Sequence, residues 1–240
     1  IDLGIDPHDM GDLPDASSGA GNFPTNLADG GEGAPALHTI QSDLYLGDCV
    51  DAEIDGQPDA EAGTDNLGGD DTASGFVVRG NCGGQGTPAA DDEDGVTLMT
   101  PLVSAGPACV AVTAHVPTGE QGVFQGWIDF NGDGDFGIPG STADANELLS
   151  TRDFAGGNVV LTGTVDQQLY CFDVPADATT LHGDVYMRFR LSNDGLTPDN
   201  LAPLAYAGPA DTGEVEDYVM QPPPYCVGNY LWLDNGTTLN

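Results

Sequence analysis

The stretch Trp127–Gly137, WIDFNGDGDFG, sets an oxygen-bearing side chain at every second position: Asp129, Asn131, Asp133 and Asp135. Gly132 and Gly134 sit between them and let the backbone turn tightly enough for the oxygens to converge. Oxygens at relative positions 1, 3, 5 and 7 form the first half of an EF-hand-type calcium loop. The second half departs from that pattern, because the twelfth position is Gly140 and not glutamate. Glu147 lies further on and is expected to close the shell by a longer excursion. Flexible carboxylates in this number suit six to eight ligands at long distances, so the expected cofactor is Ca2+ and not Mg2+. The competing reading is an Asn-Gly and Asp-Gly turn between two strands. It gives no reason to gather four oxygens that repel one another.

Two further acidic runs, DDEDGV (91–96) and GEVEDYV (213–219), each abut a strand-like segment. Pairing of the first and last strands of a sandwich would bring Asp92, Asp94, Glu214, Glu216 and Asp217 to one end, where they repel one another unless a cation sits among them. The plainer alternative is a pair of solvated strand ends. Catalysis is not expected. A glycosidase-type acid and base need one carboxyl in an apolar pocket, whereas these acids sit among other acids and glycines. His8, His38, His115 and His182 are scattered, and no nucleophile elbow, phosphate-cradling loop or zinc spacing is present.

These sites belong to a chain of 240 residues with 39 acids, four arginines, no lysine and a formal charge of −35. That charge opposes compaction unless it is neutralised, and it excludes nucleic acid and anionic membrane as partners. The acids are not spread as a halophile spreads them. They are focused at 51–71, 91–95, 129–135 and 213–217 among glycines and asparagines, as metal binding requires. No apolar run is long enough to span a bilayer.

Five cysteines without a CxxC pair point to disulfides and an oxidising, extracellular compartment. Cys109 and Cys171 fall in strand-like runs and are the first expected bridge. Cys49 and Cys82 flank the acidic loop and are placed to staple it. Cys226 is left over, either as a surface thiol or as a bond to the next subunit. Without lysine, Lys–Asn isopeptide cross-links are impossible, which leaves disulfides and metal to stiffen the fold.

The elements that must carry these residues are short. VTLM, ACVAVTAHV, GVFQGWIDF, NVVLTGTV, QLYCFDV, DVYMRFRLS and EDYVM are rich in Val, Tyr, Phe and Thr and are separated by Gly, Pro, Asp and Asn. Cys109, Ala111, Thr113 and His115 alternate with Val110, Val112, Ala114 and Val116. Val185, Met187, Phe189 and Leu191 alternate with Tyr186, Arg188 and Arg190. Period-two patterning at these intervals predicts an all-β fold, an antiparallel β-sandwich of jelly-roll or Ig-like type. Only DANELLSTRD (144–153) has a helical flavour, enough for one turn.

Residues 1–85 read as an irregular acidic leader packed on the core. Its anchors are Ile5, Phe23 and Leu27, with short strands at SDLYLG (42–47) and GFVVRG (75–80). Residues 86–221 form the sandwich. Residues 222–240 are a proline linker, QPPPY, followed by a single strand in CVGNYLWLDNG. An amphipathic strand without a partner predicts strand addition to a neighbouring copy, with Cys226, Tyr230 and Trp232 as intersubunit contacts. Asn235-Gly236-Thr237 is an N-glycosylation acceptor sequence.

WIDFNGDGDF, DDEDGV, YMRFRLS and GEVEDYVM together resemble the GEVED domain of secreted and surface-anchored bacterial proteins over roughly residues 86–221. LYLGDCVDAEIDGQPDA, and more loosely IDLGIDPHDMG, are similar to the segment that often precedes it. The tail VGNYLWLDNG resembles the opening of the B-type repeats of serine–aspartate surface adhesins, cut off after one strand. The resemblance implies a calcium-associated sandwich in adhesins, surface layers or matrix. Two functions follow as expectations. One is a secreted structural subunit of a surface filament, a homopolymer built by strand addition. The other is a monomeric adhesion or carbohydrate-binding module with a cell-surface or glycan ligand, for which Tyr206, Tyr225 and Trp232 are the candidate platforms.

Overall fold

The computed structural model describes residues 8–15, 21–27, 34–41, 43–50, 52–53, 55–60, 62, 79–80, 92–137, 147–178, 184–193 and 205–220. Within them lie twelve strands: β1 (His8–Met10), β2 (Leu37–Thr39), β3 (Tyr45–Leu46), β4 (Cys49–Val50), β5 (Arg79–Gly80), β6 (Val96–Leu98), β7 (Pro107–His115), β8 (Gly122–Ile128), β9 (Val159–Leu161), β10 (Val165–Asp173), β11 (Val185–Ser192) and β12 (Pro209–Met220). A 3-10 turn at Arg152–Phe154 is the one helical turn of the 144–153 stretch among the described residues.

The fold is all-β. A six-stranded sheet runs β1-β2-β12-β11-β8-β9, and a second sheet places β7 between β10 on one side and β3 and β6 on the other. Pairing is antiparallel throughout these two sheets except for β2 against β12. The alternation of β7 sends Val110, Val112 and Ala114 into the core, joined from β10 by Tyr170 and Phe172. Opposite them the six-stranded sheet contributes Phe124, Ile128, Val185, Met187, Phe189 and Leu191. Gly126 lies opposite Phe189 in register, and a Cβ there would fall 2.6 Å from the Phe189 ring, so only glycine lets that ring lie across β8.

The other face of the six-stranded sheet is buried as well. Every residue of β11 is buried, because the leader and the 205–208 segment cover that side. Leu13, Phe23 and Ala62 of the leader form a second apolar cluster with Trp127, Phe136, Tyr186 and Tyr206. Phe23 is thus the anchor expected of it. Leu27 is 57% exposed and anchors nothing, since its backbone N–H is held by Asp55 at a surface turn and the side chain faces water. Ile5 lies outside the described residues.

Cys109 and Cys171 stand opposite each other in the β7–β10 register and form a disulfide. Cys49 is also disulfide-bonded, while Cys82 and Cys226 lie outside the described residues, as does the whole 222–240 tail with Tyr225, Tyr230, Trp232 and Asn235. Among the described residues no helix is long and apolar enough to cross a membrane.

Candidate metal centre

β8 ends at Ile128, and the chain enters the WIDFNGDGDFG loop with Asp129 only 1% exposed. Positive φ at Gly132 (73°) and Gly134 (86°) folds the loop back on Asp129. The Gly132 N–H donates to Asp129 Oδ1, and the Gly134 N–H donates to Oδ2 at 3.1 Å. Further on, Asn131 Oδ1 accepts the Asp133 N–H at 2.7 Å, and Asn131 Nδ2 donates to Asp133 Oδ2 at 2.9 Å. Glu147 reaches the same place along the edge of β8, where its carbonyl accepts the Ile128 N–H at 3.0 Å.

Carboxylate oxygens of Asp129, Asp133 and Glu147 lie within 4.8 Å of one another, with Asp129 and Glu147 buried. Oxygens at that separation can share one cation at the 2.3–2.6 Å typical of calcium. Burial pushes Asp129 up to about 6. Its two backbone hydrogen bonds oppose that rise, and the charges of Asp133 and Asp135 add to it. Asp135 Oδ1 accepts the Gly137 N–H at 2.5 Å.

The second cluster is built by three separate parts of the chain. Asp9 comes from β1, Asp92 precedes β6 and Glu214 lies on β12; their oxygens also fall within 4.8 Å, and all three are buried. Glu214 and Glu216 share the inner face of β12 with Tyr218 and Met220. Glu214 Oε2 accepts the Leu46 N–H, and Glu216 Oε1 accepts the Gly95 N–H at 2.7 Å. Tyr218 donates its hydroxyl to Glu216 Oε2 at 3.0 Å. Burial drives the carboxyls of Glu214 and Glu216 well above their usual range. For Glu214 the neighbouring charges of Glu216 and Asp9 add to this, and for Glu216 those of Asp94 and Asp9. Asp94 itself is exposed and accepts the Asp48 N–H at 2.8 Å.

Asp217 is not part of this cluster. It faces the opposite side of β12, where Arg188 Nε and Nη2 donate to its two oxygens at 2.7 and 2.6 Å, with both side chains fully buried. Its Oδ2 also accepts the Leu13 N–H at 3.1 Å. A Cβ on Gly11 would fall 2.1 Å from that carboxylate, so the leader can pass this ion pair only as glycine.

Sequence reasoning missed Asp9, Arg188, Arg190 and His38. Asp9 Oδ2 accepts the Val215 N–H at 2.6 Å, just past the stretch of β12 that β2 pairs. Arg190 donates to His38 Nε2 at 2.8 Å and to the carbonyls of Ala205 and Gly208 at 2.6 and 3.0 Å. Burial and the charge of Arg190 hold His38 well below its ordinary value, and Nε2, which accepts from Arg190, carries no proton. The available clue was that two of only four arginines stand two residues apart on one strand of a strongly acidic chain.

An all-β sandwich with buried oxygen-only clusters at its seams thus describes the class. Residues 123–221 match the GEVED domain, which is typical of secreted and surface bacterial proteins, and the disulfide agrees with a secreted chain. The match begins in β8, not near residue 86. It omits β3, β6 and β7, the strands that complete the second sheet around β10. It ends at Gln221 and does not reach the tail. No curated protein and no solved structure matches the chain.

Proposed function

We propose that this chain is a calcium-stabilised structural module of an extracellular, surface-associated protein, and that its clustered carboxylates are ligands and not catalysts. The observation that carries the reading is the arrival of Glu147, from outside the loop, within 4.8 Å of Asp129 and Asp133. Neither group includes a histidine or cysteine, which favours a hard, oxygen-seeking cation. A bound Ca2+ would supply two positive charges to each cluster. Asp129, Asp133 and Glu147 would hold one ion, and Asp9, Asp92 and Glu214 another. In a chain of charge −35 that neutralisation favours the compact state. Thermal unfolding of the full chain tests it. The midpoint should rise in millimolar calcium relative to chelator, and less so in magnesium; equal midpoints in all three would overturn the proposal. Hydrolysis of any member of a chromogenic glycoside panel would contradict the non-catalytic reading.

The proposal extends to assembly. Residues 226–240 act as a donor strand for a neighbouring copy, with the outer edge of β9 as acceptor. Blockage of the longer edge supports that choice. On β10, Asp153 and Thr151 side chains accept the Cys171 and Asp173 N–H groups at 2.7 Å each, and a bulge with positive φ interrupts the strand at Gln167. Electron microscopy of a 222–240 deletion checks this, since polymers that persist would rule the donor out. The monomeric sugar-binding alternative loses one platform, because Tyr206 is 6% exposed. The cleft of about 260 Å³ beside Leu148 and Asp173 offers a single aromatic, Phe130, which is buried too.

A further inference from the structure

The leader meets the cation clusters at two separate points, and both contacts are of a kind that makes docking and cation binding interdependent. At the first, one peptide unit serves both sides. The Gly134 N–H donates to Asp129 Oδ2 at 3.1 Å, while the Gly134 carbonyl accepts the N–H of leader residue Asn22 at 2.7 Å. Two residues past Gly134, Phe136 leaves the loop and packs against Phe23 of the leader at 4.7 Å between ring centroids, and Phe23 meets Tyr186 at 5.5 Å. The conformation that converges the loop oxygens is therefore the one that offers Phe136 and the Gly134 carbonyl to the leader. At the second point the leader supplies a carboxylate outright: Asp9, on β1, shares its cluster with Asp92 and Glu214 of the sandwich.

We propose that the leader segments 8–15 and 21–27 form a latch whose docking on the six-stranded sheet is thermodynamically coupled to cation binding, so that withdrawal of the cation loosens the leader and bares the aromatic face of Trp127, Phe136, Tyr186 and Tyr206. The proposal rests on the cation reading above and adds its regulation. The coupling is reciprocal: whatever weakens leader docking weakens cation binding by the same factor. Burying Phe23 against two rings holds the loop in its binding form. Removing that ring leaves the loop to find the form alone, at a cost in affinity. The charge-neutral contacts are the informative ones, because they touch no carboxylate and alter no charge.

The test uses the full chain and two readouts. Terbium(III) replaces calcium and is sensitised by Trp127, two residues from Asp129, so its luminescence reports cation binding directly. Hydrogen exchange at Asp9–Leu13 and Gly21–Thr25, in calcium and in chelator, reports docking. The expected result is slower exchange of both leader segments in calcium, with a terbium midpoint in Phe23→Ala raised about tenfold, within the usual range of coupling factors. Exchange in β7 and β10 shows whether that variant is folded. If it is not, Asn22→Pro, which removes the single N–H to Gly134 at an exposed position, replaces it. Terbium binding with leader exchange unchanged by calcium, or with a midpoint indifferent to both variants, overturns the latch and leaves the cation sites standing. Absence of terbium binding overturns both.

Discussion

Glu216 and Asp217 are adjacent in sequence and serve opposite sides of one strand. Glu216 turns between the sheets to accept the Gly95 N–H at 2.7 Å, and Asp217 turns outward to grip Arg188 at 2.6 and 2.7 Å. With Glu214 on Leu46 and Asp217 on Leu13, the three carboxylates of the GEVED string each hold a backbone N–H from a different segment of the N-terminal half. The string acts as a clasp between the two halves of the fold.

The outward side of that clasp is the simplest to break. Arg188→Ala leaves Asp217 buried and charged without its partner, which costs about 3–5 kcal/mol. Denaturant unfolding should show that loss. A double change to apolar residues, Arg188→Met with Asp217→Leu, should recover much of it, because neither member of the pair is then left buried and charged.

The halves are not expected to fold apart. Residues 123–221 lack β7, whose Val110, Val112 and Ala114 fill the core against Phe124 and Phe189. A fragment limited to the matched region should show no cooperative unfolding transition by circular dichroism, whereas residues 1–221 should.

The Cys109–Cys171 bridge closes a span of 62 residues and contributes about 4 kcal/mol in the chain-entropy picture. Cys109→Ser paired with Cys171→Ser should lower the denaturation midpoint accordingly without altering calcium binding, since neither cysteine belongs to either carboxylate cluster.

pH separates the chelated from the calcium-loaded state. Asp129, raised to about 6, and Glu214 and Glu216, also raised, hold protons in the folded chain that the unfolded chain releases near pH 4. Their contribution is full below that pH and is lost as pH rises through the folded values, for Asp129 on the order of 3 kcal/mol. His38, with its lowered value, contributes in the opposite sense, fully above about pH 6.5 and less as pH falls. With that imidazole removed, as in His38→Gln, the chain in chelator should be more stable at pH 5 than at pH 7. Bound calcium would take the place of those protons and should remove or invert that slope.

How much of this could be read beforehand follows the range of the interactions. Strand alternation, the facing cysteines and the loop from Asp129 to Asp133 are local patterns, and Glu147 was reachable as the first glutamate after the loop. The parity of β12 was equally local. Glu214 and Glu216 must share a face that Asp217 cannot, but the string was read as a run of charge and not as a strand. The burial of Arg188, Arg190 and His38 depends on an irregular leader docking more than 150 residues away in sequence, as the separation of 152 between His38 and Arg190 shows. No periodicity records a contact of that kind.

The most direct test is a calorimetric titration of calcium into the chelated full chain. The two oxygen clusters among the described residues predict saturable binding in which one ion is lost when Asp129 and Glu147 are changed to Asn and Gln, and another when Asp9 and Glu214 are. Heats that never saturate, or that are the same in those variants, would mean that the carboxylates meet as a protonated seam and that calcium has no place in this fold.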